Sequence, residues 1–382
     1  HIYIKYACHV CEGSGAEGKK PVKTAPRPPR MIPGGIASAG FLAYILTAKF
    51  CDALPFFRLE KIFARWNVKL ERATMCNWAI FVARRCARLM ELMLDEIRSG
   101  PFIGCDETRL QVMNEPDRDN TTKSYMFVLR GGPPDRPLVF YRYREKREAK
   151  FLIELLSGFR GVFQTDGYEA YDHVAAELKA VHAGCMDHVR RNFHKAFIES
   201  KGKSRTLKAV MRFFRRLYRT ENEARKNNLS PSQLLEVRQR KSARRMKYFK
   251  RWLARNSIVT NPEGFLGKAI SYTIGQWRKL LPFLENPLIP ISNITLENAI
   301  RPFVIGRKNW LFSGSPRGAA ASAVIYSLVE SARANGLEPY WYFRYLFVML
   351  PRVKDDESLR SLLPNRVDMK TIRDYFQSED RC

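Results

Sequence analysis

The spacing of apolar residues changes from helical to strand-like in the stretch Phe102-Ile103-Gly104-Cys105-Asp106-Glu107-Thr108-Arg109-Leu110-Gln111, which follows Gly100-Pro101. Two more strand-like runs, Ser124 to Arg130 and Leu138 to Tyr143, come next in the chain. A polar loop separates the first two runs, and a Gly-Gly-Pro-Pro turn separates the second from the third. The pattern therefore predicts three consecutive antiparallel strands that begin at Phe102.

Helical and strand-like patterns alternate after these three strands. We predict, in chain order, a helix from Arg147 to Leu156, a strand from Gly161 to Thr165, a helix from Ala170 to Glu177, a strand from Ala180 to His182 and a helix from Asp187. This order is typical of a ribonuclease H-like α/β domain, whose sheet supplies carboxylates at neighbouring strand ends. We expect such a domain inside a multidomain α+β protein.

Two aspartates follow the apolar segments of predicted central strands. Asp106 comes after Phe102 to Cys105, and Asp166 comes after Val162 to Thr165. A carboxylate buried there is costly without a metal or a basic partner. Phosphodiester chemistry with two divalent ions, about 3.5–4 Å apart, needs several such carboxylates. Either aspartate alone also fits an ordinary turn, but the pair on adjacent strands favours a catalytic site. Strand alternation turns Glu107 to the opposite face.

The chain is strongly basic and rich enough in apolar residues to bury a core. Its 382 residues include 66 lysines and arginines against 38 aspartates and glutamates, a formal net charge of +28, and 45% are hydrophobic. Basic side chains gain affinity for polyanions by releasing counterions from phosphates, so nucleic acid is the expected partner. An anionic membrane surface is the alternative. The uncharged stretch 31–48 contains Pro33-Gly34-Gly35 and predicts a loop before a buried helix, not a membrane span.

More than half of the excess charge lies in residues 201–256. This segment holds 19 lysines and arginines against 3 glutamates, and aromatic residues interleave with the bases. Helical periodicity turns many of the aromatics toward a core, so the basic residues could form an ordinary solvated face. The size of the local excess favours a surface that follows a phosphate backbone.

The N-terminal region contains the pair Cys8 and Cys11 after a strand-like start, followed by a Gly, Lys and Pro-rich tract to Pro33. Such a pair is half of a tetrahedral zinc site, and we expect the other pair upstream of His1. Two unliganded thiols are the alternative. The eight cysteines are too few and too scattered for a disulfide scaffold, which predicts a reducing, cytoplasmic setting.

Helical patterns run from Ala37 to Leu94. Within them, the run Phe57 to Trp66, a short polar turn and a second run from Glu71 are similar to a helix-turn-helix. The spacing predicts a DNA recognition helix around Thr74 to Trp78. An ordinary helical hairpin has the same pattern.

One long motif begins at Glu297-Asn298-Ala299-Ile300-Arg301-Pro302 and continues through Gly306-Arg307-Lys308-Asn309-Trp310-Leu311-Phe312-Ser313-Gly314-Ser315. With Gly104 to Thr108, Thr165 to Tyr168 and Cys185 to Arg191, it resembles the insertion sequence 66 family of bacterial transposases over nearly the whole chain. Lys5-Tyr6-Ala7-Cys8 and Cys11-Glu12 look like the second half of that family's zinc-binding segment. The family commonly has Asp-Asn-Asn where this chain has Ser292-Asn293-Ile294.

This resemblance implies a catalytic triad of Asp106, Asp166 and Glu297 that binds Mg²⁺ or Mn²⁺, with two ions expected. It also implies a structural Zn²⁺ at Cys8 and Cys11. The partners would be DNA, as terminal inverted repeats and target, a second copy or a larger assembly, and accessory transposition proteins. The setting would be the bacterial cytoplasm, in association with the nucleoid, with no membrane partner.

Two further groups of residues are expected at the site. The expected phosphate and base contacts are Arg190, Arg191, Arg301, Arg307, Lys308 and Trp310, since guanidinium groups fit phosphate oxygens. Trp310 and Phe312 either stack on an unpaired base or pack in the core. Cys185, His188 and Asn298 are expected beside the site, with helix packing as the alternative for the first two.

The sequence thus predicts six regions. They are a partial zinc-binding knuckle and linker (1–33), a helix-turn-helix-like DNA-binding region (34–100), the first part of the catalytic core (101–200), a basic all-helical insertion (201–290), the helical last part of the core (291–350) and a polar tail (351–382). The expected activity is cleavage at transposon ends and strand transfer. A structure-directed nuclease without joining and an inactive DNA-binding derivative are the alternatives, and Ser292 and Ile294 favour the latter.

Overall fold

The computed structural model describes residues 5–7, 22–24 and 28–379. It begins with a short antiparallel hairpin of β1 (Lys5–Ala7) and β2 (Val22–Thr24). Cys8 and Cys11, and with them the predicted zinc site, lie outside the described residues.

Four helices precede the main sheet. They are α1 (Ala39–Phe50), α2 (Phe56–Arg65), α3 (Arg72–Arg85) and α4 (Ala87–Ser99). The sequence predicts two helices on either side of residues 66–71, and they are confirmed as α2 and α3. Met75 and Trp78 of the predicted recognition segment are buried, whereas Asn77 between them is exposed. In the described part of the chain, no helix is long and apolar enough to cross a membrane.

A five-stranded mixed sheet follows α4. Its elements are β3 (Phe102–Gln111), β4 (Lys123–Gly131), β5 (Leu138–Arg144), α5 (Ala149–Leu155), β6 (Val162–Thr165), α6 (Ala170–Glu177) and β7 (Val181–Gly184). The strand order is β5-β4-β3-β6-β7, with β3, β4 and β5 antiparallel and with β6 and β7 parallel to β3. The predicted strands and helices are therefore confirmed in type and order.

A helical region separates the sheet from the motif at Glu297. After α7 (Met186–Glu199) it contains α8 (Arg205–Lys226), α9 (Pro231–Val237), a π-helical stretch (Arg238–Ala243), α10 (Arg244–Val259), α11 (Phe265–Gln276) and two short 3-10 turns. Its aromatic residues bury one face of α8, α10 and α11 in a core that also includes Val162 and Ala183 of the sheet. The region therefore packs against the β6–β7 edge.

The chain then returns to the sheet with helices that complete its main core. They are α12 (Ile294–Trp310), α13 (Pro316–Ala334), α14 (Pro339–Met349), α15 (Asp356–Arg360) and α16 (Met369–Glu379). Ser327 and Ser331 of α13 each bond the backbone of β5, which lets a helix approach that strand closely. The main core combines α1 to α4, the sheet and these five helices.

The segment after residue 351 differs from the polar tail that the sequence predicts. It carries α15 and α16, and Leu363 and Ile372 are fully buried against the main core. Apolar residues are sparse in this segment, but they recur at helical spacing, so one narrow face packs while the charged residues remain outside.

Gly161 stands where β6 approaches the start of β3. The amide of Val162 donates to the Pro101 carbonyl at 2.9 Å, and a Cβ at position 161 would lie only 2.7 Å from the carbonyl carbon of Pro101. The nearest atoms are the backbone carbonyl oxygen and carbon of Pro101, and they cannot move aside without moving a strand. Glycine at this position therefore permits the β3–β6 register.

We predict that Gly161→Ala lowers the free energy of unfolding by ~2–3 kcal/mol, because the methyl group forces the two strands apart. Urea denaturation followed by circular dichroism measures this change. Gly275→Ala is the matched control, since a Cβ there meets open space on α11 and should raise stability by ~0.5–1 kcal/mol. Equal effects of the two substitutions would contradict the prediction.

Candidate active site

Asp106 and Asp166 are positioned by the same pair of strands. The last paired residues of β3 and β6 are Gly104 and Gln164, and each aspartate comes two residues later. Asp106 lies within β3, which continues to Gln111 in contact with β4 alone, whereas Asp166 follows the end of β6. Asp106 is thus a residue inside a strand, not the strand-end residue that its apolar run suggested.

Asp106 is in an environment that opposes its ionisation. Burial raises the pKa of Asp106 to about 7, and the charges of Glu107, Asp166 and Glu297 add to this effect. The backbone amide of Glu107 donates to Asp106 Oδ1 at 2.8 Å and acts in the opposite direction. Three carboxylates from distant parts of the sequence therefore share one region and repel one another there.

Glu107 points to the opposite face of β3, as strand alternation predicts. Its carboxylate accepts a hydrogen bond from the Tyr171 hydroxyl of α6 and forms an ion pair with Arg147. The Arg147 guanidinium also lies 3.4 Å from the ring centroid of Tyr168. Arg147 was not singled out from the sequence, because its partners come from β3 and from the turn before α6, and no local pattern marks it.

The turn that contains Asp166 is held on both sides. Asp166 Oδ1 accepts from the amide of Tyr168 at 2.9 Å. Tyr272 of α11 packs so closely that a Cβ at Gly167 would lie 2.7 Å from its ring. Burial, followed by the charge of Asp166, raises the pKa of Tyr272 to about 12. The helical region thus reaches the candidate site through Tyr272.

The segment before α12 is bonded to the edge of the sheet and so brings Glu297 to the aspartates. Gln164 Nε2 donates to the Pro290 carbonyl at 2.8 Å, and the amide of Met186 donates to the Ile291 carbonyl at 3.0 Å. Glu297 then lies in the first turn of α12, where the helix dipole stabilises a carboxylate.

Cys185 also joins the start of α7 to the segment before α12. Its thiol donates to Asn293 Oδ1 at 2.9 Å, and the amide of Asn293 donates back to the sulfur at 3.4 Å. Burial raises the pKa of Cys185 to about 11, so the side chain is a neutral thiol at neutral pH. Cys185 therefore has the properties of a positioning residue at the N-terminus of α7, and a thiolate ligand is not expected here.

His188 lies among the charges of the candidate site. Burial and the charge of Arg191 lower its pKa, whereas Asp166, Glu297 and Asp187 raise it. Its Nδ1 atom is buried and has no hydrogen-bond partner among the described residues. A neutral imidazole with an unsatisfied nitrogen is thus available beside the carboxylates.

The remaining predicted residues divide between the site and α12. Arg191 forms an ion pair with Glu297 at 3.2 Å, and Arg190 is exposed. Along α12, Arg307 donates to Thr108 Oγ1 at 3.2 Å. Trp310 is half-buried and packs edge-on against Phe303 in the core. Of the predicted residues on α12, Asn298, Arg301 and Lys308 are exposed.

The carboxylates suit a hard divalent cation in their chemistry, but they are not gathered around one point. Within the described ranges, no group of three or more His, Cys, Asp or Glu side chains is placed to hold a metal ion. Each carboxylate has one oxygen that bonds Glu107, Tyr168 or Arg191, respectively. A bound cation would relieve the repulsion at Asp106.

A groove of about 1410 Å³ opens beside the start of α12. Its walls come from α7, α8 and the segment 287–295, and it includes Ser292 and Ile294. The lysines and arginines that line it are Arg190, Arg215, Arg219, Arg225, Lys226 and Arg238, and they outnumber the acidic lining residues Asp187, Glu221 and Glu223. Ser292 and Ile294 therefore belong to the wall of a basic groove next to the carboxylates.

Comparison with known proteins matches nearly the whole chain to one family. The model described as "Transposase IS66 family" matches residues 34–321, and that described as "IS66 C-terminal element" matches residues 327–365. Two relatives from Sinorhizobium fredii (strain NBRC 101917 / NGR234), "Uncharacterized protein y4jD" and "Uncharacterized protein y4qI", are 32% and 29% identical. The alignments cover 95% and 91% of this chain, and 71% and 66% of the relatives, respectively.

We predict that Asp106→Asn stabilises the metal-free protein in a pH-dependent way. The pKa of Asp106 rises from 3.8 to about 7 on folding, so its protonation stabilises the fold fully below about pH 4 and this stabilisation is lost as the pH rises to 7. The advantage of the amide should therefore grow across this interval and level off above pH 7, at roughly 2–4 kcal/mol. Urea denaturation at a series of pH values measures it.

Asp135→Asn is the matched control, because Asp135 is exposed. Its effect on stability should be small at every pH. A stabilisation by Asp106→Asn that does not change with pH would contradict the proposed burial of charge at Asp106.

Proposed function

Because the chain belongs to the IS66 family of transposases, we propose that it is a metal-dependent enzyme that cleaves DNA at the ends of an insertion sequence and joins them to target DNA. Asp106, Asp166 and Glu297 would be its catalytic residues. The observation that carries this proposal is the shared electrostatic environment of the three carboxylates, since burial raises the pKa of Asp106 and the charges of Asp166 and Glu297 raise it further.

The sheet supports a ribonuclease H-like assignment of the catalytic core. Three antiparallel strands lead to two parallel strands in the order β5-β4-β3-β6-β7, and a helix precedes each of β6 and β7. This topology brings the first and fourth of the five strands side by side, so that Asp106 and Asp166 extend beyond a common line of paired residues. We propose that residues 101–200 and 291–350 form this core around the insertion 201–290.

Divalent cations are the expected cofactors of this site. Carboxylate oxygens are the ligands that Mg²⁺ and Mn²⁺ prefer, and Asp106, Asp166 and Glu297 would supply them. Such ions, when bound, would supply positive charge at the attacking and leaving oxygens and lower the pKa of the attacking hydroxyl group. The ionisation of Asp106 would be favoured by the same positive charge.

The neighbouring residues would orient the scissile phosphate. Arg191, half exposed and paired with Glu297, can exchange a carboxylate contact for a phosphate oxygen without leaving its position. His188 offers a neutral nitrogen that is not used within the described fold. Cys185 and Asn293 hold the start of α12 in place and thereby position Glu297.

The basic groove and the helical insertion would carry the DNA backbone. Thr295, in the same helical turn as Glu297, lines the groove, so a strand bound along Arg215 and Arg219 would pass near Glu297. A surface of this kind binds phosphates through counterion release. We further propose that residues 34–100 contact DNA and that Cys8 and Cys11 form half of a structural zinc site.

Transposition also requires that two ends be brought together. We therefore propose that the active form is a dimer or a larger assembly on DNA, helped by accessory transposition proteins. Residues of the relatives that lie outside this chain could contribute, since the chain spans about two thirds of their length.

We predict that Asp166→Asn and Glu297→Gln each reduce end cleavage and strand transfer by about 100-fold or more, because each removes an oxygen ligand of the cations. A labelled duplex from the end of the insertion sequence that encodes this chain, incubated with Mg²⁺ or Mn²⁺ and a supercoiled target plasmid, measures both steps. DNA affinity should stay within about threefold of wild type, since no positive charge is removed.

Asp135→Asn is again the matched control and should retain both steps. Undiminished cleavage by either triad variant would refute the assignment of that residue. Cleavage without joined products in the wild type would instead support the structure-directed nuclease. Metal-dependent cleavage of any kind would exclude the inactive DNA-binding derivative that Ser292 and Ile294 suggest.

A further inference from the structure

The outer face of α12 presents a line of side chains that starts at Glu297. Arg301, Ile305 and Lys308 follow at intervals of four, four and three residues, and all three are exposed. Side chains at this spacing lie on one face of a helix. Leu311 and Phe312 follow directly after the end of α12, and they are 65% and 45% exposed. Two large exposed apolar side chains thus follow a stripe that carries Arg301 and Lys308.

The backbone at Leu311 has an unfavourable conformation. Its φ and ψ are 64° and −53°, and the amide of Phe312 donates to the Trp310 carbonyl at 2.8 Å. These values describe a γ-turn of the rare, strained type, which a leucine seldom adopts. The conformation costs free energy and persists only where the surrounding structure imposes it.

Hydrogen bonds on both sides of Leu311 impose this conformation. The amide of Leu311 donates to the Arg307 carbonyl at 2.7 Å, and thereby keeps the turn attached to α12. Ser313, which is buried, joins the end of β3 through Ser313 N to Gln111 O at 3.0 Å and Met113 N to Ser313 O at 2.9 Å. The turn is therefore fixed on both sides, and its effect is to hold Leu311 outward instead of toward the core.

The charges around the turn indicate what covers it. Arg307 and Lys308 precede the turn and Arg317 follows it, whereas Glu297, at the other end, is the one acidic residue of α12. A second copy of this chain would have to place like charges against each other here. A nucleic acid duplex matches both features, because phosphates pair with the basic residues and base steps accept an apolar wedge.

We propose that Leu311 and Phe312 form an apolar wedge that inserts into a base step of the DNA bound along α12 and unstacks it. The inference rests on the proposed function insofar as DNA is the ligand, but it assigns a DNA-distorting role to two residues outside the catalytic triad. Fourteen residues separate Glu297 from Leu311, about 21 Å along a helix. The unstacked step should therefore lie roughly six base pairs from the cleaved phosphodiester.

The experiment compares wild type, Leu311→Gly and Leu311→Ala in complex with duplexes from the end of the insertion sequence. Each duplex carries 2-aminopurine at one position, and Ca²⁺ replaces Mg²⁺ so that binding is measured without cleavage. The wild type should increase the fluorescence severalfold at steps about six base pairs from the cleavage site. Leu311→Ala should reduce this increase, and Leu311→Gly should abolish it while DNA affinity falls by less than about tenfold, since the phosphate contacts remain.

Leu311→Gly has a second expected effect, which separates a wedge from a merely structural residue. Glycine adopts a positive φ without strain, so the melting temperature should rise by roughly 1–3 °C while the distortion of DNA is lost. Ile258→Ala is the matched control, because Ile258 is 84% exposed on α10. It should leave the fluorescence change intact.

The outcomes separate this proposal from the proposed function. If the wild type cleaves its DNA but causes no unstacking, or if Leu311→Gly unstacks DNA as well as the wild type, the wedge is refuted and the transposase assignment stands. A change of oligomeric state in Leu311→Gly, with the fluorescence signal preserved, would identify the patch as a contact between copies. If the wild type binds no DNA, both proposals fail.

Discussion

The parallel pairing of β3 with β6 is the constraint on which the candidate site depends. Phe102, Ile103 and Gly104 pair with Val162, Phe163 and Gln164, so Asp106 and Asp166 follow the last pair at equal distances along their strands. The pairing needs the close approach of Gly161 to Pro101. A change in register by one residue would turn one carboxylate to the opposite face, because side chains alternate along a strand.

The third carboxylate, that of Glu297, comes from a helix and not from a strand of the sheet. Glu297 follows Asp166 by more than one hundred residues, most of them in the helical region that packs against the β6–β7 edge. Buried hydrogen bonds from Gln164, Cys185 and Met186 attach the end of that region to the sheet. Within the region, the buried Arg238 binds Glu221 and the carbonyls of Phe283 and Asn286. The position of Glu297 therefore depends on how the helical region packs against the sheet.

Charge is distributed unevenly over the protein. The chain has a formal charge of +28, yet the candidate site concentrates carboxylates. Burial, together with the repulsion from these carboxylates, raises the pKa of Asp106 to about 7. Because the folded protein disfavours the ionised form of Asp106, the fold is less stable at neutral pH when no cation is bound. The same arrangement favours cation binding, since a divalent ion reverses the repulsion. The basic surface around the site would meanwhile attract the phosphate backbone.

The sequence by itself determined the order of strands and helices, the family, and the positions of Asp106 and Asp166 after the apolar segments of two strands, because apolar periodicity and short motifs are local properties of the chain. It did not determine the burial of α15 and α16 or the contacts of Arg147 and Tyr272. These depend on partners distant in the sequence, and no local pattern records them. The strained turn at Leu311 is also a tertiary result, since only the attachment of Ser313 to β3 forces a leucine into a conformation that its own side chain disfavours.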